Sequence, residues 1–125
     1  MNTPRSTLSS LLALVVLLLS ACGKGDQAPE PMAIDQASEQ VKSTFAGASQ
    51  EVRAVADGAA KSMQEGDYVD SYQRLEALSA QGDLTPEQRQ KLGETQSAVI
   101  RKMSEAAESG DANAAKALEM HRARK

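Results

Sequence analysis

The sequence predicts an all-α fold, and three observations predict it. From Met32 onward no run alternates apolar and polar residues as a half-buried strand would. Alanine, glutamate, glutamine, lysine and arginine, the strong helix formers, dominate that stretch. Gly-Asp pairs begin at Gly66, Gly82 and Gly110, where helices would stop and restart. The 41% hydrophobic content of this 125-residue chain overstates its core. Twelve of the hydrophobic residues precede Cys22, 19 of the others are alanines, and only 19 larger apolar side chains follow Cys22, with no tryptophan. So few side chains cannot enclose a broad core or a deep cavity, so neither an enzyme nor a small-molecule substrate is expected.

The first element is apolar but too short to span a membrane. Arg5 precedes an unbroken run, Leu11 to Leu19, whose helical length would be about 14 Å against the roughly 30 Å hydrocarbon layer. It reads as the apolar segment of a secretory signal peptide over residues 1–21. Leu19, Ser20, Ala21 and Cys22 resemble the lipobox of bacterial lipoproteins: an aliphatic residue, two small ones, then cysteine. The resemblance implies cleavage between Ala21 and Cys22, diacylglycerol on the Cys22 sulfur and an acyl chain on the new amino terminus. No other cofactor is expected. Two or three acyl chains, at about 0.8 kcal/mol per buried methylene, anchor a protein stably where one does not. Gly23 is not the aspartate that retains such lipoproteins in the inner membrane of enteric bacteria, which implies an outer-membrane, periplasm-facing address. Cys22 is the only cysteine, so a disulfide within the chain is excluded.

Residues 22–31 carry glycine, proline and charges without an apolar period and read as a tether. Residues 32–125 read as a helical domain. Its first helix is expected over 33–64, because Ile34, Ala37, Val41, Phe45, Ala48, Val52, Val55, Ala59 and Met63 recur with a step near that of a helix. Gly47 and Gly58 would bend it or admit a neighbour. After Gly66 and Asp67, a second helix over 68–80 puts Tyr68, Tyr72, Leu75 and Leu78 on one face. Thr85, Pro86, Glu87 and Gln88 spell a capping box with proline at the first helical position and open a third helix over 86–109. Leu92, Val99, Met103 and Ala106 would face inward from it. An alanine-rich fourth helix over 112–122 is expected around Leu118. These helices would form antiparallel hairpins or a small bundle.

Gly66, Asp67, Tyr68 and Ser71 resemble the turn of a tetratricopeptide repeat, which commonly reads G-D-Y-x-x-A, and Gly110, Asp111 and Ala115 match it again. The two turns stand 44 residues apart where that repeat has a period of 34, and Ser71 replaces the small apolar residue.

Little in the chain carries chemistry. The lone His121 has no second His or Cys after residue 22 to make a metal or catalytic pair, and reads as a surface residue. Asp67 with Asp70, and Glu105 with Glu108, share helix faces in the manner of solvated surfaces, so no metal site is expected. Without Arg5 the chain holds 13 basic and 17 acidic residues, net −4, and no basic stripe, which excludes nucleic acid. Tyr68 and Tyr72 are the candidate partner surface, although so small a core needs them too.

The end of the chain, His121 to Lys125, resembles that of the murein lipoprotein. The resemblance implies a peptidoglycan linkage through Lys125, although the seven-residue repeat of a coiled coil fails at Ser38 and Ser62. The expectation is a lipid-anchored envelope protein that acts as a helical interaction module for an envelope protein. Its rival is a structural lipoprotein joined to peptidoglycan.

Overall fold

In a computed structural model, which describes residues 30–125, every regular element is a helix. The expected signal peptide over 1–21, the cleavage and lipidation residues Ala21 and Cys22, and most of the tether lie outside the described residues. Five helices follow: α1 (Ile34–Thr44), α2 (Gln50–Glu65), α3 (Tyr68–Ser79), α4 (Pro86–Glu108) and α5 (Ala112–Ala123). None of them is long and apolar enough to cross a membrane.

The single helix expected over 33–64 is two helices, α1 and α2. The chain leaves the helix at Phe45 (φ −108°, ψ 10°), turns through Ala46 to Ala48, and restarts at Ser49. The Ser49 hydroxyl accepts from the Val52 N–H at 3.3 Å and caps α2. The apolar period runs through this break because Phe45, 1% exposed, and half-buried Ala48 both face the core from the turn itself.

The two later turns share one mechanism. Gly66 (φ 79°) and Gly110 (φ 101°) both take the left-handed conformation that favours glycine. At each, the following aspartate N–H reaches back five residues, Asp67 to the Ser62 carbonyl (2.9 Å) and Asp111 to the Ala106 carbonyl (3.0 Å). The glycine N–H reaches back three, completing a Schellman motif. Asp67 then accepts from the Asp70 N–H and caps α3, while Asp111 accepts from Asn113 and Ala114 and caps α5. The pair Gly82-Asp83 behaves differently. Here α3 ends at Ala80 in right-handed conformation, and a longer loop buries Leu84 before Thr85 and Gln88 close their reciprocal capping box.

The helix α4 packs against α1, α3 and α5, and α2 against α1 and α3. Phe45, Met63, Leu75, Leu78, Val99 and Met103 fill the centre, surrounded by buried alanines of α2, α4 and α5. Buried hydroxyls stand where a thin core leaves little room. Ser38, Ser71 and Thr95 each donate to a carbonyl of their own helix or its cap, and Ser62 donates to the Asp70 carboxylate, so none costs an unpaired polar group. Between α1 and α4, the Gln40 side-chain amide donates to the Lys91 carbonyl (3.0 Å) and to Glu94 and Thr95. Arg101 of α4 fixes the entry of the chain by donating to the Met32 carbonyl at 2.8 Å.

Candidate functional site

The helices α3 and α5 run parallel. Tyr72 meets His121 and Glu76 meets Arg124, so the residue numbers rise together along both. Only a few residues touch between them, and the space left is a groove with two connected recesses that share Val69, Gln73, Ala117 and Met120. The larger, about 430 Å³, lies at the N-terminal ends of both helices beside Tyr68, with Asp67 and Asp111 on its rim. The smaller, about 210 Å³, lies along Tyr72, Glu76 and His121. Met120 is the one exposed large hydrophobic among the described residues, at 44%.

Both tyrosines of the candidate partner surface come to this groove, in different states. Tyr68 is half-buried and lines the larger recess, whereas Tyr72 is 5% exposed and belongs to the core. Burial first, then the Glu76 carboxylate, raises the Tyr72 phenol above the ordinary tyrosine range, while Arg124 opposes the shift. Lys125, the proposed peptidoglycan attachment, is exposed beyond the end of α5.

His121 is not the free surface residue expected from the sequence. It is half-buried, shares a hydrogen bond of 2.5 Å between its Nδ1 and the Tyr72 hydroxyl, and sets its ring edge-on to that of Tyr72 at 5.4 Å. A signal for this was present: Ala114, Ala117, Leu118 and His121 fall on one helical stripe. The ion pair Glu76–Arg124 (3.2 Å) lies one turn further on, and Gln96 of α4 donates to Glu76 at 3.1 Å. The end of α5 is therefore fastened to α3 by polar contacts around a single tyrosine.

One carboxylate of each pair, Asp70 and Glu105, is spent on structure. Asp70 accepts from Arg74 at 2.6 Å and from the Ser62 hydroxyl of α2. The Arg74 guanidinium lies over Gly58, where a Cβ would stand 2.6 Å from its Nη1, so the glycine of α2 admits a neighbour. These hydrogen bonds, Arg74 first, lower the Asp70 carboxyl below the usual range. Glu105 is likewise lowered by its hydrogen bond from Lys102. Among the described residues no group of three or more His, Cys, Asp and Glu side chains gathers as a metal site.

Tyr72 with His121, and Ser62 with Asp70, each set a hydroxyl beside a basic group, and both pairs are tied into contacts between helices. The groove mixes apolar lining from Val69, Ala114, Ala117 and Met120 with the charged Asp67, Asp70, Asp111 and Lys116. Comparison of the chain with protein families, curated proteins and solved structures returns no match.

Proposed function

We propose that this is a lipid-anchored cell-envelope protein, facing the periplasm from the outer membrane, that works by protein contact rather than catalysis. The anchor rests on Leu19 to Cys22, whose spacing matches a lipobox. The contact surface rests on one observation: Met120 stands exposed beside a groove of mixed polar and apolar lining between two parallel helices, in a protein otherwise short of large apolar side chains. A methionine side chain is flexible and polarizable and adapts to a partner's shape, so an exposed one beside a recess supports this reading.

Two measurements test this. Cys22→Ser is expected to move the protein from the membrane to the soluble fraction, and retention in membranes would refute the anchor. Cross-linking in intact envelopes is expected to give an adduct with the wild type that Val69→Glu with Met120→Glu abolishes. An unchanged adduct would refute the groove. The exposed Lys125 keeps a second reading in view, a structural lipoprotein joined to peptidoglycan. Lysozyme-dependent release of a peptide ending in Lys125 would favour it.

A further inference from the structure

We propose that Met120 is an oxidation site, at which a peroxide adds oxygen to the side-chain sulfur and so changes the α3–α5 groove without disturbing the fold. The inference rests on the reading of that groove as a contact surface and names its regulation. Four methionines follow Cys22, and the fold treats their sulfurs differently. Met63 and Met103 are fully buried in the centre of the core, and half-buried Met32 packs against that core with its carbonyl held by Arg101. Of the four, only Met120 stands open. Oxidation follows access to the sulfur, and it turns a flexible apolar side chain into a polar one. In the core that change would break packing. At Met120 it meets water and a recess whose lining includes the N–H donors Gln73 and Arg124, so the new oxygen forms beside groups that can satisfy it. Met120 lines both recesses of the groove, so one added oxygen alters both. The step is complete with the peroxide alone. A lone pair of the sulfur attacks one peroxide oxygen, the O–O bond breaks, and the departing hydroxide takes the proton of the transferred oxygen and leaves as water. The sulfur gives up two electrons and the peroxide gains them.

The test is peptide mass spectrometry of the full-length chain in mild detergent, sampled during exposure to hydrogen peroxide, with circular dichroism alongside. Met120 is expected to gain one oxygen at least about tenfold faster than Met63 and Met103, whose sulfurs wait for the core to open. The helical signal and melting temperature should hold meanwhile, and in denaturant the rates should converge. In intact envelopes, peroxide is expected to abolish the cross-linked adduct of the wild type and to spare that of Met120→Leu, which keeps the apolar bulk and has no sulfur. Oxidation of Met63 or Met103 as fast as Met120 in the folded chain would overturn the proposal, as would a preference for Met120 that persists in denaturant. So would loss of the fold as Met120 is oxidised, or a Met120→Leu adduct as sensitive to peroxide as that of the wild type. If the wild-type adduct survives full oxidation of Met120 while Val69→Glu with Met120→Glu still abolishes it, only this inference falls. If the adduct is also indifferent to those variants, the contact-surface reading falls with it.

Discussion

The α2–α3 and α4–α5 hairpins turn through the same Gly-Asp sequence with the same backbone hydrogen bonds, yet they are held together differently. The first is closed by bulk. Met63, Leu75 and Leu78 are essentially inaccessible, and Ser62, Asp70 and Arg74 clasp the two helices from outside. The second is closed by alanine. Ala106, Ala107, Ala114 and Ala117 let α4 and α5 approach, Leu118 is the one large buried side chain of α5, and the far end of α5 depends on His121 and Arg124. Identical turn chemistry therefore fixes the path of the chain without fixing how firmly the second helix is held. That difference places the groove where it is, beside the less firmly packed helix.

Cutting the core of each hairpin is expected to have the largest effect and to separate them. Leu75→Ala should cost about 2–5 kcal/mol and lower the whole denaturant transition, since Leu75 is 0% exposed in the centre. Leu118→Ala, at 6% exposure on the outer helix, should fall at the lower end of that range. It should also release amide protection in α5 while α3 keeps its own, as read by hydrogen exchange. Equal loss of protection in both helices would erase the proposed contrast.

The turns come next. An alanine at either glycine should cost on the order of 1–2 kcal/mol for the left-handed backbone. Asparagine should distinguish the two, because it tolerates φ near +60° and Gly66 at 79° lies closer to that value than Gly110 at 101°. Thermal unfolding of Gly66→Asn and Gly110→Asn is expected to show the smaller loss at Gly66.

Much of this was legible in the sequence. The all-α class followed from composition and the lack of alternation, and the turns at Gly66 and Gly110 from glycine beside a capping aspartate. The α1–α2 break escaped because Phe45 and Ala48 keep the apolar period while the backbone leaves it; Ser49 was the available sign. At Gly82 the same dipeptide produced no left-handed stop, since Leu84 pulls the following loop into the core. The groove was legible only in part. Tyr68 and Tyr72 could be placed on one face, but what faces them comes from a helix 49 residues later, Tyr72 to His121. Local patterns do not encode that distance.

A smaller effect is expected at the fastening of α5. Tyr72→Phe removes the hydroxyl from His121 while keeping the ring, and should cost about 1 kcal/mol, with the loss of protection confined to the last turns of α5. The raised phenol also gives a sign. Its contribution is present below the ordinary tyrosine value near 10 and is lost as pH rises through the higher folded value. The wild type should therefore weaken at strongly alkaline pH more than Tyr72→Phe does.

The smallest effect belongs to the clasp on the first hairpin, and its pH dependence runs the other way. Asp70 and Arg74 keep 36% and 42% of their side chains exposed, so water and salt screen the pair, and Asp70→Asn should cost less than about 1 kcal/mol near neutrality. Because folding lowers the Asp70 carboxyl, the stability it adds is fully present above the ordinary aspartate value near 4 and is lost as pH falls through the lower folded value. Wild type and Asp70→Asn should therefore differ in melting temperature at pH 6 and converge toward pH 2. A gap that persisted at pH 2 would mean that the geometry of Ser62 and Arg74 over Gly58, and not the charge, closes this hairpin. The contrast with the polar fastening of α5 would then lie in packing alone.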